Sequence, residues 1–216
     1  MKKIKVLIAD DHTIVRLGLK ALFDAEDGFE TVGAAKNGLE AVALAERMRP
    51  DVVVMDLLMP RMDGVEATRE LRRKLPSARV VILTSFGASD GIDQALKAGA
   101  AGAVMKTEDE SLLVAAVRRI AAGETYVSPE IRQQFAVDPP VPALTPRQLD
   151  VLQSLVRGLT NSEIALQLDI RKDGVEDHVN AIFSKLGASN RAEAVAIALR
   201  KNLLRNPPTW DSGGGH

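Results

Sequence analysis

The sequence predicts an α/β domain built on a doubly wound parallel sheet of five strands, followed by an all-α domain of four helices. Three observations favour this fold class. β-Branched runs alternate with amphipathic segments over 1–122, proline-rich sequence interrupts the periodicity over 123–143, and helix-start signals recur over 144–205. We therefore expect two domains joined by a linker, with 206–216 forming a tail that includes an expression remnant.

The strands of the first domain are predicted from short apolar runs. Each run precedes a segment whose apolar residues stand three and four positions apart, the spacing of one helix face. Such alternation requires a parallel sheet covered on both faces, and five units are typical of the flavodoxin-like fold. The three valines at 52–54 fit a central strand buried on both sides. The predicted strands are 4–9, 31–35, 52–55, 80–83 and 103–105.

The linker is predicted from its prolines. Apolar periodicity stops after residue 122, and Pro129, Pro139, Pro140 and Pro142 would break any long helix. We therefore expect no regular domain structure over 123–143.

The second domain carries four capping signals. Thr145 and Thr160 each stand three residues before Gln or Glu, as in a capping box, and Asp173 and Asn190 are expected to cap the third and fourth helices. A short turn over 169–172 between the second and third helices predicts a helix-turn-helix.

Composition excludes several classes of protein. The chain has 28 Lys and Arg residues against 29 Asp and Glu, 46% hydrophobic residues and no cysteine. Collagenous, disordered and disulfide-stapled proteins are excluded, and a metal would need oxygen or histidine ligands. No apolar run approaches the roughly 20 residues of a membrane span, so we expect a cytoplasmic protein with no membrane partner.

Polar residues at the predicted strand ends indicate a functional site. Ligands of doubly wound sheets bind at the carboxyl edge, where strand order reverses. With the order 2-1-3-4-5, Asp10, Asp11, Asp56, Thr84 and Lys106 converge there. Crowded carboxylates favour a hard cation, by default Mg²⁺, and the amine and hydroxyl suit a tetrahedral oxyanion. The set predicts phosphate chemistry over a magnesium ion. An adjacent imidazole is a poor ligand for that ion, so His12 is not included.

The motifs at 6–12, 54–64 and 83–85, together with Lys106, resemble the receiver domain of two-component response regulators over residues 1–122. The resemblance implies that Asp56 takes a phosphoryl group from a histidine kinase and becomes an acyl phosphate. It also implies that Lys106 pairs with the phosphoryl oxygens and that Thr84 moves toward them.

The same resemblance implies a ligand set for Mg²⁺. Asp11, Asp10 through water, Asp56 and the backbone carbonyl of Leu58 would bind the ion. It further implies that the receiver promotes only its own phosphorylation and dephosphorylation, so that the chain is not an enzyme acting on other substrates.

Two positions depart from the receiver pattern or extend it. Many receivers have an aromatic residue three positions before the lysine that rotates on activation, whereas this chain has Ala103. The signal must then pass through backbone shifts at Thr84 or through helix movement. Leu58 and Phe86 lie two residues beyond Asp56 and Thr84, and we hypothesise that they shield the acyl phosphate from water.

The second domain resembles the LuxR-type DNA-binding domain, through the motifs at 144–148, 158–165, 175–187 and 190–194. The whole chain is thereby similar to response regulators of the NarL/FixJ type. The family usually has Glu where Gln148 stands, a difference of small expected consequence because either residue completes a capping box.

The third helix of this domain carries an unusual charge pattern for a recognition helix. Val175, Val179, Ile182 and Leu186 form an apolar stripe, and the opposite face is acidic and polar. The domain has nine basic and seven acidic residues over 144–205, which is a small excess for a nucleic-acid binder. The expected DNA contacts are Arg171, Lys172, Glu176, Asp177, Asn180 and Lys185, with Arg157 as a further phosphate contact.

These observations predict a response regulator in which phosphorylation of Asp56 by a histidine kinase controls binding to double-stranded DNA, with a homodimer forming on phosphorylation. Two alternatives remain open. The acidic third helix could instead bind a protein or RNA. A magnesium-dependent phosphatase would also use Asp56, but no carboxylate stands two residues after it to act as the acid or base.

Overall fold

The structure is a computed structural model that describes residues 3–85, 89–201, 203 and 204. Phe86, Arg205 and the tail at 206–216 lie outside the described residues. The chain divides into two compact units, Met1–Pro139 and Pro140–His216.

The first unit is built on a parallel sheet in the order β2-β1-β3-β4-β5-β6. The prediction of a doubly wound sheet is confirmed, including the order of the first five strands. A sixth, two-residue strand at the edge was not predicted. The strands are β1 (Ile4–Ala9), β2 (Phe29–Ala35), β3 (Val52–Asp56), β4 (Arg79–Thr84), β5 (Gly102–Met105) and β6 (Tyr126–Val127).

Helices cover both faces of the sheet, and the alternation of strand residues separates two apolar cores. Val53 belongs to the core that includes α2, α3 and α4, whereas Val52 and Val54 belong to the core that includes α1 and α5. Burial of β3 on both sides is therefore confirmed. The helices are α1 (Thr13–Ala25), α2 (Gly38–Met48), α3 (Gly64–Lys74), α4 (Ser89–Lys97), α5 (Glu110–Ala121) and α6 (Pro129–Val137).

The prediction of an irregular linker over 123–143 is wrong for residues 126–137, where β6 and α6 form within the first unit. Ser128 caps α6, and Pro129 occupies its first turn, where the missing N–H of proline costs nothing. Pro129 therefore starts a helix instead of breaking one. The remaining prolines follow the end of α6 at Val137.

The second unit consists of α7 (Pro146–Val156), α8 (Asn161–Leu168), α9 (Lys172–Leu186) and α10 (Arg191–Arg200) around one apolar core. Both predicted capping boxes, at Thr145 and Thr160, are present. Asn190 caps α10 as expected, and Gly187 ends α9 with a positive φ of 66°. The predicted helix-turn-helix is thus confirmed.

The expected start of α9 at Asp173 is wrong. The helix begins at Lys172, with Arg171 in the N-cap position. The Asp173 carboxylate accepts hydrogen bonds from Arg171 and from the N–H of Gly174 inside the first turn. A carboxylate there still benefits from the helix dipole, so the helix starts without a capping side chain.

Candidate functional site

Three aspartates meet at the carboxyl edge of the sheet. Asp10 and Asp11 follow β1, and Asp56 is the last residue of β3. One ligand atom from each of them and one from His12 all lie within 4.8 Å of one another. Asp10 and Asp56 are buried, whereas Asp11 is exposed. The expected convergence of carboxylates between β1 and β3 is therefore present.

Lys106 connects the two buried carboxylates from the end of β5. Its Nζ lies 2.6 Å from Asp10 Oδ2 and 3.0 Å from Asp56 Oδ2. Burial opposes the charge of the amine, but the hydrogen bonds that the amine donates to Asp10 and Asp56 outweigh burial and raise the pKa of Lys106. The amine is thus held as a cation beside the carboxylate that the sequence predicts to be the nucleophile.

Burial is the main influence on Asp56 itself. It raises the pKa of Asp56, while the hydrogen bond from Lys106 acts in the opposite direction without cancelling the effect. The Leu57 N–H also donates to Asp56 Oδ1 over 2.8 Å. The ionised form of Asp56 is therefore short of compensating positive charge in this pocket.

The backbone behind Asp56 leaves no room for a side chain at residue 64. A Cβ added to Gly64 would lie 2.3 Å from the Asp56 carbonyl oxygen and 3.0 Å from Leu57 Cα. The Gly64 N–H donates to the Leu57 carbonyl over 2.9 Å. The loop between β3 and α3 thus folds back on the strand end, and the glycine permits this close approach.

His12 and Arg16 contact the cluster, although sequence reasoning left both out. His12 Nδ1 lies 2.9 Å from Asp11 Oδ1, and its backbone N–H donates to Asp10 Oδ1 over 2.8 Å. Arg16 donates to the Asp10 carbonyl over 2.7 Å. The His12 ring contacts the carboxylates, whereas Arg16 holds the backbone of Asp10 at the end of β1. Their position at the start of α1, just after the two aspartates, is the signal that could have identified them.

Thr84 is the last residue of β4, and Leu58 lies two residues beyond the end of β3, as expected from the sequence. Thr84 is buried, its carbonyl accepts from the Lys106 N–H over 2.7 Å, and its hydroxyl makes a long 3.4 Å bond to the Ser85 carbonyl. The hydroxyl is therefore only weakly held. The Leu58 side chain is 58% exposed beside Asp56.

In the second unit, α9 presents the expected two faces. Its apolar stripe is buried in the core, as predicted from the spacing of Val175 and the residues that follow it. Glu176, Asp177 and Asn180 are all exposed. The exposed face of α9 is therefore acidic and polar.

The cations predicted to contact DNA fall into two groups. Lys185 donates to the Ala143 carbonyl over 2.7 Å and to Gln148 Oε1 over 2.8 Å, which ties α9 to the start of α7. Lys172 and Arg157 are exposed and have no ion-pair partner among the residues that the structure describes. Lys185 thus has an internal role that the sequence pattern did not show.

Arg171 is exposed and paired in a specific geometry. Its Nε and Nη2 donate to the two carboxylate oxygens of Asp173, over 3.1 and 2.7 Å. This side-on arrangement leaves the Nη1 edge of the guanidinium free to donate. Arg171 can therefore still contact an acceptor outside the domain.

Two family models match the chain, one in each unit. Residues 6–118 match the response regulator receiver domain, and residues 142–198 match the luxR family of bacterial regulatory proteins. The chain belongs to the two-component response regulators. The regulator therefore combines a receiver with a DNA-binding domain of the LuxR type.

Similar proteins span nearly its whole length. The response regulator protein VraR of Staphylococcus aureus is 37% identical over 207 residues, which cover 94% of the regulator and 99% of VraR. The crystal structure of the response regulator ChrA, from a heme-sensing two-component system, is 34% identical with a TM-score of 0.57, covering 94% and 100%. A structure of RcsB bound to DNA is 21% identical with a TM-score of 0.68, covering 92% and 99%, and shares the fold.

Every helix in the described part of the regulator is too short or too polar to cross a bilayer.

Proposed function

We propose that Asp56 is the phosphoacceptor and that its phosphorylation controls DNA binding by the second unit. The observation that carries this proposal is the arrangement of Asp56, Asp10 and Lys106, in which one amine lies within 3.0 Å of both buried carboxylates. From this position, the Lys106 amine can pair with the oxygens of a phosphoryl group on Asp56 without leaving the pocket. The partner that supplies the group is a sensor histidine kinase.

Asp56 acts as the nucleophile. One of its carboxylate oxygens attacks the phosphorus of a phosphohistidine or a small phosphodonor, forming a P–O bond while the bond to the leaving group breaks. With phosphohistidine, the electron pair returns to the imidazole. Lys106 Nζ then moves from its two carboxylate partners toward the phosphoryl oxygens, and the weakly held Thr84 hydroxyl donates to another of them.

The residues present fit a magnesium ion. Asp10, Asp11 and Asp56 offer only oxygen atoms within 4.8 Å, and three carboxylates against one amine leave excess negative charge. Asp11 and Asp56 would bind the ion directly, with Asp10 through water and the Leu58 carbonyl as further ligands. When bound, the ion supplies charge neutralisation that lets a phosphoryl group approach the acidic pocket.

The phosphorylated state ends by hydrolysis within the receiver. Water attacks the phosphorus, the P–O bond to Asp56 breaks, and the free carboxylate returns. We expect the exposed Leu58 side chain, two residues after Asp56, to limit the access of water. Leu58→Asn is expected to speed the loss of the phosphoryl group, and an unchanged dephosphorylation rate would reject the shielding role.

An exposed apolar surface beside the pocket suits the kinase. Ile14 and Leu17, in the first turns of α1, are 86% and 63% exposed, and α1 begins two residues after Asp11. Exposed apolar residues next to a reactive group are a common feature of docking surfaces. The kinase would contact this face while its phosphohistidine reaches Asp56.

The second unit would bind DNA through α9. Lys172 and Arg157 would contact phosphates, and Arg171 would use its free guanidinium edge. Glu176 or Asp177 would accept from cytosine, and Asn180 would bind adenine in the major groove. Two such domains in a homodimer would compensate for the small basic excess. The match to the luxR family favours DNA over a protein or RNA partner.

The test of the phosphoacceptor is labelling by a small phosphodonor in Mg²⁺, followed by mass spectrometry. Wild type is expected to gain one phosphoryl group, and Asp56→Ala is expected to gain none. Asp24→Ala, which removes an exposed carboxylate from α1, serves as the matched control and should label normally. Labelling retained in Asp56→Ala would overturn the assignment.

A further inference from the structure

The helix α6 lies against two parts of the receiver that carry the proposed switch residues. It packs against β5, whose end leads to Lys106, and against α4, which begins five residues after Thr84. Ile131 of α6 is fully buried in the same core as Ala103 and Met105 of β5. The helix is thus part of the receiver core.

Two polar contacts connect α6 to chain segments that follow the switch residues, one at the start of α4 and one just after Lys106. Gln134 Nε2 donates to Ser89 Oγ over 2.9 Å, and both side chains are buried. Near the other end of α6, the hydroxyl of Thr107, the residue after Lys106, lies 3.2 Å from a Glu130 carboxylate oxygen. One short helix therefore contacts both the first residue of α4 and the residue that follows Lys106.

The contact between α6 and the rest of the receiver includes an unsatisfied polar atom. The Oε1 atom of Gln134 is buried and has no hydrogen-bond partner among the described residues. Leaving such an atom unpaired weakens docking, and losing the Ser89 contact would leave the whole buried amide unpaired. The apolar contact of Ile131 favours docking, whereas the orphaned amide oxygen opposes it.

We propose that α6 is a phosphorylation-sensitive latch, docked through Gln134 and Glu130 in the unphosphorylated receiver and released when Thr84 and Lys106 move toward a phosphoryl group. The proposal rests on the proposed function, because it requires Asp56 to be the phosphoacceptor. It assigns a signalling role in a receiver with Ala103 at the position where many receivers have a mobile aromatic residue. The second unit follows α6 directly in the chain, so release changes how the chain leaves the receiver.

Hydrogen exchange of the full-length regulator in Mg²⁺, with and without beryllofluoride, tests the latch. The backbone amides of 130–137 are expected to exchange about tenfold faster with beryllofluoride, a factor that corresponds to about 1.4 kcal/mol. Amides of α2, which packs on β1 and β2 toward the opposite edge of the sheet from β5, should not change. Exchange of α6 that is unchanged or slower with beryllofluoride would overturn the latch.

Two glutamines in α6 provide a matched pair of variants. Gln134 is buried, whereas its neighbour Gln133 is exposed. Gln134→Ala should give fast exchange of α6 even without beryllofluoride, and Gln133→Ala should behave as wild type. Gln134→Leu removes the orphaned oxygen and keeps apolar packing, so it should hold α6 docked and reduce the response to beryllofluoride. Equal behaviour of all three variants would reject the role of Gln134.

The exchange data also separate this inference from the proposed function. If beryllofluoride fails to slow exchange at Leu57 and Lys106, the phosphoacceptor assignment itself fails. If it slows exchange there while α6 stays protected, the phosphoacceptor stands and the latch is wrong.

Discussion

The acidic pocket of the receiver and the exposed face of α9 both combine carboxylates with cations, but they do so in opposite ways. In the pocket, Lys106 is placed by the sheet between two buried carboxylates. On the second unit, Arg171 pairs with Asp173 in the open, where a salt bridge contributes little. The charged groups of the pocket are therefore held in place by the fold, at a high electrostatic cost of burial. The charged groups on the exposed face of α9 are free to rearrange when a partner binds.

The largest expected effect comes from removing the amine of the pocket. Lys106→Met leaves Asp10 and Asp56 facing each other without a cation, so it should destabilise the metal-free protein by about 3 kcal/mol. Urea unfolding in EDTA and in Mg²⁺ measures this, and Mg²⁺ should recover part of the loss. Lys97→Met, which removes an exposed pair with Asp93, should cost less than about 1 kcal/mol. Equal losses for the two variants would contradict the contrast between buried and exposed charge.

Next in size is the glycine behind Asp56. Gly64→Ala places a Cβ against the Asp56 carbonyl, so it should cost about 2 kcal/mol and slow labelling of Asp56. Gly18→Ala is the matched control, because a Cβ at Gly18 meets no atom within 4 Å among the described residues and alanine favours a helix interior. Thermal unfolding should show Gly18→Ala to be the more stable variant. If Gly64→Ala left the stability unchanged, the backbone at the end of β3 would be able to shift and accommodate the added Cβ.

A smaller, opposite effect is expected when the charge of Asp56 is removed. Burial raises the pKa of Asp56, so the folded state binds its proton more tightly than the unfolded state does. The stability from that proton is complete below 3.8, the ordinary pKa of an aspartate, and is lost as the pH rises through the folded pKa. Asp56→Asn should therefore gain about 1 kcal/mol over wild type at pH 8 in EDTA. The gain should shrink as the pH falls toward 4, and a gain independent of pH would reject this explanation.

The smallest effects distinguish the two lysines of α9. Lys185 holds the start of α7, so Lys185→Met should destabilise the protein by about 1 kcal/mol and leave the salt dependence of DNA binding nearly unchanged. Lys172→Met should leave stability unchanged and lower the slope of log K against log salt by about 1. Urea unfolding and a salt titration of duplex binding measure the two quantities. A reversed result would place the phosphate contact on Lys185.

The pocket could be predicted from sequence because topology determines which strand ends meet. Once the strand order was inferred, Asp10, Asp56 and Lys106 had to converge at one edge of the sheet. Their distances and the contacts of His12 and Arg16 depend on side-chain conformations, which periodicity does not specify. The family model matches agree with this sequence-based interpretation of the receiver.

The α6 segment and the cations of the second unit were harder to predict. Pro129 looked like a helix breaker, because its role as a helix start depends on the cap at Ser128 and on the apolar surface available to Ile131. The internal role of Lys185 is not visible in the local sequence, because its acceptors lie 42 and 37 residues away in the chain. Both features depend on long-range packing, which local sequence signals do not specify.

The most direct test of the central claim is duplex enrichment with and without beryllofluoride in Mg²⁺, on wild type and Asp56→Ala, at two salt concentrations. We predict that wild type enriches a site with two half-sites, that beryllofluoride strengthens binding, and that Asp56→Ala loses the response. A failure to enrich any duplex in either state, or an equal response in Asp56→Ala, would contradict control of DNA binding through Asp56.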